Sequence, residues 1–539
     1  MSAAPHPAAQ MLAQASVELR LRLRSPATAI ALLLVLALGW WWIPAPDGRA
    51  VSLSWKDATG ELQTPETGAS ALGVAGAFLG GFLLMIPAFY LVAGAIRRDR
   101  ESGLGALLAS TPMGKSAYVL GKWLGHCAYL SLLVACAAPL VLFHFAQHGV
   151  GTFDAGALLL PLILFPAPAI PFVAALALAF ETTPGLRGRG GLVAAFFALS
   201  LLLAVVPMKS SGSLDPEARQ QAGRALPAFD PAGLATVEQL LVRSLPAGVH
   251  SLATGHIIHS TPPRRVPWSG IAWDAGVVLR RLAMTLWSLP ILLWAILRFD
   301  RFAPRRPARL PRAARGAVDP TAPAEPSTAT HRPYTPLTAG AARPGSRLAI
   351  VAEALLVARS ARLPLALAFV ASLVGSLLAP AAAQVAAAIA LLALAVALAE
   401  VGARERIAGT LELVRPLPAI PAVVSLWKGG AAFAVALLAI APLALRAALA
   451  SPAALLAALL GLLFLATFAV GAARLSGSGR LLLGSYLPLG YAASSGLPPA
   501  DFTGLVTGSS SLVRSALFAA GGVALAALAD VVERWRMRG

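Results

Sequence analysis

The chain has 539 residues, 58% hydrophobic and 12% charged, with a formal net charge of +19 and a mean hydropathy of +0.74. Soluble domains carry about a quarter charged residues, so this composition excludes a water-soluble fold. It also removes nucleic acid as the reason for the positive charge, which is instead expected to follow the cytoplasmic side of membrane spans.

The opening stretch, MSAAPHPAAQMLAQASVELRLRLRSP, reads as an amphipathic basic segment lying in the membrane interface rather than as a cleavable signal. Apolar runs of spanning length follow, expected near 27–44, 71–96, 117–143, 155–180, 190–207 and 282–298. A second set is expected near 364–379, 383–400, 426–446, 452–472, 480–494 and 512–531. The predicted fold is therefore an all-α polytopic membrane protein of about twelve transmembrane helices. An even number of spans places both termini on one side. Placing them in the cytoplasm puts most of the 43 Lys and Arg inside. Cys127 and Cys136 are nine positions apart on one helix, about 13 Å along its axis, which is too far for a mutual disulfide.

The outer loop 208–274 is mostly turn-forming, with one amphipathic stretch around 232–244. His144, His148, His250, His256 and His259 fall outside by this topology. Two pairs have metal-compatible spacing, but without nearby carboxylate or Cys partners they read as unliganded, and no metal site is expected. Residues 299–346 are rich in Pro, Ala and Arg without apolar period, and read as a disordered basic linker. They separate a first unit, 1–298, from a second, 347–539.

The two units read as copies. Sliding the chain along itself sets RDRESGLGALLASTPMGKSAYVLGK over RERIAGTLELVRPLPAIPAVVSLWK without a gap. Arg98, Asp99, Arg100, Gly103, Leu107, Pro112 and Lys122 then meet Arg404, Glu405, Arg406, Gly409, Leu413, Pro418 and Lys428. The basic helix before the first span is matched by LAIVAEALLVARSARLP before the seventh.

Within this segment ASTPMGKS, Ala109–Ser116, has the spacing of a phosphate-binding loop. Pro112 removes one backbone donor, no glycine opens the loop, and the second copy reads RPLPAIPA. The match is chance, and no nucleotide is expected on this chain. The retained features instead suggest docking. Arg98, Asp99, Arg100 and Glu101 precede Gly103 and a short helix with Leu104, Leu107 and Leu108 on one face. The second copy supplies Arg404, Glu405, Arg406, Leu411 and Leu413, with Ile407 in place of the second acid.

The run RRDRESGLGALLASTPMGKSAYVLGKWLG resembles the loop between the second and third spans of ABC type-2 exporter permeases. There an Arg-Glu-basic-Glu-x-Gly-Thr run leads into an amphipathic segment ending in Thr-Pro, and Gly-Lys opens the next span. The resemblance implies two six-span halves, each with an interfacial helix and a cytoplasmic coupling helix. It implies that the two turns dock a separate cytosolic ATP-binding subunit, in two copies, which carries the ATP and Mg. This chain would hold no cofactor and hydrolyse nothing. The setting implied is a bacterial inner (plasma) membrane, with an exported substrate that the residues do not name.

The alternative is an ion-driven secondary transporter of the major facilitator type, which also has paired six-span halves. It requires ionisable groups within the membrane. The candidates sit at span ends: Glu181, Glu400 and Asp530 inside, Arg280, Arg281, Arg446 and Arg514 outside.

Overall fold

The computed structural model describes residues 6–42, 50–57, 59–205, 227–246, 249, 251–258, 262–302, 347–411, 420–494 and 498–538. A helix stands at each of the twelve apolar runs. Among the described residues, seven helices are long and apolar enough to cross a membrane, or nine if each of two bent pairs is one span.

Helix α1 (Pro7–Leu23) breaks at Arg24 before α2 (Pro26–Trp42), where Pro at the first turn starts a new helix without losing a bond. The face of α1 turned inward is polar, with Gln14, Glu18 and Arg22 buried, while Leu12 is 61% exposed and Val17 and Leu21 also face out. Such a helix is stable where its outer surroundings are apolar, as at a membrane boundary. In the second unit Ala349–Ser360 meets Arg362–Leu377 at 92°, the bend expected between an interfacial helix and a span.

After α2 come strands β1 (Ala50–Lys56) and β2 (Leu62–Pro65), then α3 (Ala69–Val92). Strands β3 (Ser251–Ile258) and β4 (Arg264–Val266), about 200 residues further along the chain, complete a four-stranded sheet of order β3-β1-β2-β4. β1 pairs antiparallel with β2 and β3, and β2 pairs parallel with β4. This sheet is absent from the all-helical expectation. Trp55 and Leu53 bury against Phe78, Phe165 and Leu241, so the sheet and helix Leu234–Ser244, at the predicted amphipathic stretch, form one cluster.

One apolar core runs through both units. In a bilayer, helices gain little from leaving lipid, so contact depends on small residues that let backbones approach. Helix Pro380–Leu398 accordingly buries a row of alanines that includes Ala383, Ala386, Ala387, Ala390 and Ala393. The units meet where helix Arg480–Ser494 packs on α3, and a Cβ at Gly484 would lie 2.6 Å from the Cβ of Tyr90. Gly484→Leu is therefore expected to loosen the contact between the units and lower the melting temperature of the purified chain by about 1–3 °C, since overpacking a tight contact costs about 1–3 kcal/mol. An unchanged melt would show that this contact does not hold the units together.

Two turns, one in each unit, have the same hydrogen-bond pattern. Asp230 accepts from the backbone of Gly233 (3.0 Å) and Thr236 (2.8 Å) and from the Thr236 hydroxyl (2.8 Å). Asp501 accepts from Gly504 (2.8 Å), Thr507 (2.8 Å) and the Thr507 hydroxyl (3.0 Å). Gly233 and Gly504 both have positive φ, +83° and +74°, as the turn requires. The sequences DPAGLAT and DFTGLVT carry it.

Candidate coupling site

Helix α3 ends at Ala93, and Gly94 (φ +88°) turns the chain into α4 (Ala95–Glu101). The Glu181 carboxylate accepts from the backbone N–H of Gly94, Ala95 (3.0 Å), Ile96 (2.8 Å) and Arg97 (3.1 Å). A carboxylate there satisfies the free donors and complements the dipole of α4. Gly103 (φ +77°) then redirects the chain into α5 (Leu104–Ser110), and α6 (Lys115–Ala135) starts the next apolar helix. Gly409, matched to Gly103, also has positive φ (+70°), so the paired glycines answer one backbone need.

The charged triplet is tied to the interfacial helix. Glu18, fully buried, is 2.8 Å from Arg22 and 2.6 Å from both Arg98 and Lys122. Lys122 is also 2.6 Å from Asp99, which accepts from the Tyr118 hydroxyl at 2.7 Å. Gly121 and Gly125 permit this, because a Cβ at either would strike Gln14 or Glu18 of α1. Burial alone would raise the Glu18 carboxyl, but Arg22, the His126 hydrogen bond and Lys122 outweigh it and hold it well below 4.5.

The second unit repeats the arrangement. Glu353 of the bent helix lies 2.7 Å from Arg404 and 3.3 Å from Lys428, and Lys428 lies 2.6 Å from Glu405. An acid on the helix before the first span, a Lys at the start of the third, and Arg plus acid between them thus recur together. The signals available in the sequence were the lone acid on each basic helix and the Gly-x-x-x-Gly spacing of Gly121 and Gly125.

The predicted docking residues therefore divide. Asp99 is 1% exposed and Arg98 is engaged by Glu18, so these two hold the turn in place. Arg100 pairs with Asp300 at 2.8 Å. Glu101, its side chain 55% exposed beside Arg97, lines the edge of the space between the two units, whereas Leu107 (66% exposed) and Pro112 lie on the surface and Leu104 and Leu108 are half-buried. In the second turn Arg404 and Glu405 are likewise engaged, Arg406 packs at Gly477, and Ile407 is exposed. Leu413 and Pro418 lie outside the described residues.

The stretch Ala109–Ser116 runs from the last turn of α5 into α6, so a helix rather than a strand leads into it. His144 and His148 lie with ring centroids 6.2 Å apart, and His144 packs on Trp40. Among the described residues no three His, Cys, Asp or Glu side chains converge as a metal site. His250 and His259 lie outside those residues. Cys127 and Cys136 are free thiols.

Four of the ionisable groups at span ends are held by local contacts. Glu181 caps α4, Arg281 donates to the carbonyls of Asp230 and Phe165, and Arg446 donates to those of Gly375 (3.0 Å) and Ser376 (3.2 Å). Asp530 accepts from Arg474 and from Ser425 (2.9 Å). Between the units runs a cavity of about 1480 Å³, lined by Tyr90, Tyr129 and Leu133 on one side and Phe464, Phe468 and Tyr486 on the other.

Apolar spans packed through small residues, with charged turns locked at one end, define a polytopic helical membrane protein. Residues 54–233 match the family described as ABC-2 family transporter protein, a segment that contains the first charged turn and α5. The resemblance to ABC type-2 permeases read from that turn is borne out over these residues. Neither the curated proteins nor the solved structures contain a match to this chain.

Proposed function

We propose that the chain is the transmembrane subunit of an ATP-driven exporter, with two fused six-span permease units acting as a complete pair over two cytosolic ATP-binding subunits. The observation that carries this reading is the Glu–Lys–Arg–acid lock, its Glu and Lys buried, found behind each charged turn. A lock of this kind makes the turn a rigid arm joined to the helices on either side. Force applied at Glu101 and Leu107 passes through Lys122 and Glu18 to α1 and α6 rather than dissipating in a loose loop. Closure of ATP-bound subunits would thereby move the two units against each other across the cavity between them, through which the substrate would pass. This chain supplies the path and the arms, and ATP and Mg belong to the partner.

Glu181 is committed to a helix start, Arg281 and Arg446 to backbone carbonyls, and Asp530 to Arg474 and Ser425, so these four groups lend the secondary-transporter alternative no support. Co-purification of the full chain from native membranes with a P-loop ATPase, whose turnover changes in the chain's presence, tests the proposal. Recovery of no ATPase would count against it. The inner-membrane setting and cytoplasmic termini are tested separately. An impermeant thiol reagent on intact cells is expected to label Ser213→Cys and to spare Ser327→Cys, two positions outside the described residues. The reverse pattern would invert the topology.

A further inference from the structure

The four residues that leave the sixth apolar helix, Phe299–Phe302, belong by composition to the disordered linker; in the fold they close over the first charged turn. Phe299 stacks on Tyr118 with ring centroids 4.9 Å apart and planes 9° apart, and Phe302 meets the same ring edge-on at 5.4 Å. Asp300 accepts two hydrogen bonds from Arg100, at 2.8 and 2.9 Å, and lies 3.5 Å from Arg187. Arg301 donates to the carbonyl of Thr111 at 2.6 Å, beyond the far end of α5. Gly105 in α5 lies under the Phe302 ring, where a Cβ would come within 2.5 Å of it. Arg301 and Phe302 both have positive φ, 49° and 60°, a conformation that residues with side chains keep only when neighbours hold them there.

We propose that Phe299–Phe302 is a clasp that positions the first coupling helix, and that Asp300 and Phe302 are positioning residues for the transmission of ATP-driven motion. The inference rests on the exporter reading. The clasp grips α5 at Gly105 and, just past its end, at Thr111, and grips α4 through Arg100, so it fixes the angle between the two short helices that Gly103 would otherwise leave free. Its aromatic half is seated on Tyr118, whose hydroxyl reaches Asp99, so the clasp and the buried lock share one residue. The second unit has Val424 at the position set over Tyr118, and no phenol there to receive such a clasp. Among the described residues the first arm is thus held from both sides, and the second lacks the matching phenol.

The test uses the full chain in complex with its co-purified ATPase, comparing Asp300→Asn, Asp300→Glu, Phe302→Ala and Gly105→Val with the wild type. Asp300→Asn, Phe302→Ala and Gly105→Val are expected to leave ATPase recovery and KM for ATP unchanged. Each should lower the chain-dependent part of ATP turnover about fivefold or more, the lower end of ordinary coupling effects. Asp300→Glu should restore most of the turnover. Trypsin cleavage after Arg301 should rise in the three weakened variants, which reports release of the clasp independently of turnover. Release of Arg301 with wild-type turnover overturns the proposal, as does unchanged cleavage in all three. Failure of the wild type to bring down any ATPase overturns the exporter reading instead, and is recognised because the wild-type control fails before any variant is compared.

Discussion

Glu18→Ala is expected to be the most damaging single substitution in the chain. It strips the shared carboxylate from Arg22, Arg98 and Lys122 and leaves the buried Lys122 with Asp99 alone. Removing one partner of a buried ion pair costs about 3–5 kcal/mol, because the charge left behind stays desolvated. A melt of the purified chain should show a large loss of stability or failure to accumulate. Glu18→Ala with Lys122→Ala should cost less than the two singles added, since the second change removes the stranded charge. Glu353→Ala should cost less than Glu18→Ala, because Lys428 keeps Glu405 and the carbonyl of Val401. Wild-type melting of Glu18→Ala would show that the lock contributes nothing. The same group sets an acid limit. With its folded-state pKa depressed below 4.5, Glu18 contributes stability that is fully present above that value. This contribution is lost only as pH falls through the lower folded-state value. Glu18→Gln should therefore melt lower at neutral pH and lose less on acidification than the wild type.

Leu107→Asp is expected to release the ATPase while leaving the permease folded. Leu107 is the most exposed apolar side chain of α5 and contributes little to the chain's own packing, so a charge there harms only what docks on it. Loss of a central apolar anchor costs an interface about 2 kcal/mol or more, roughly thirtyfold in affinity. Glu101→Ala should weaken recovery of the ATPase more than Ile407→Ala does, because Glu101 presents an exposed acid where the second turn presents an apolar side chain. Asp99→Ala should behave differently from both: buried against Lys122 and Tyr118, it should lower stability before it alters docking. Co-purification and melting measured on the same samples separate the two effects. Undiminished ATPase recovery with Leu107→Asp and Glu101→Ala would remove the docking assignment and return the secondary transporter to consideration.

Much of this architecture is set by features that act over a few residues. Apolar runs placed the helices, because every span must be apolar along its own length whatever it packs against. Pro26, Pro380 and Pro452 begin helices as local chemistry dictates, and Gly103 and Gly409 mark turns because positive φ is a property of one residue. The charged turns were legible for the same reason, since charge, Gly and Pro recur at one spacing in both units. Tertiary structure alone decided which of those charges face outward. Glu18 reaches Lys122 across 104 positions and Glu353 reaches Lys428 across 75, and no periodicity connects residues so far apart. The sheet escaped for the same cause: β1 and β3 pair across about 200 positions, and no local pattern in either strand announces a partner so distant. The clasp at Phe299–Phe302 adjoins a run of arginines and prolines whose composition points to disorder, and its order comes from Tyr118 and Gly105, two residues that only the fold brings beneath it. Local chemistry determined where the chain crosses, turns and carries charge; long-range packing decided which charges are buried as structure and which remain on the surface to meet a partner.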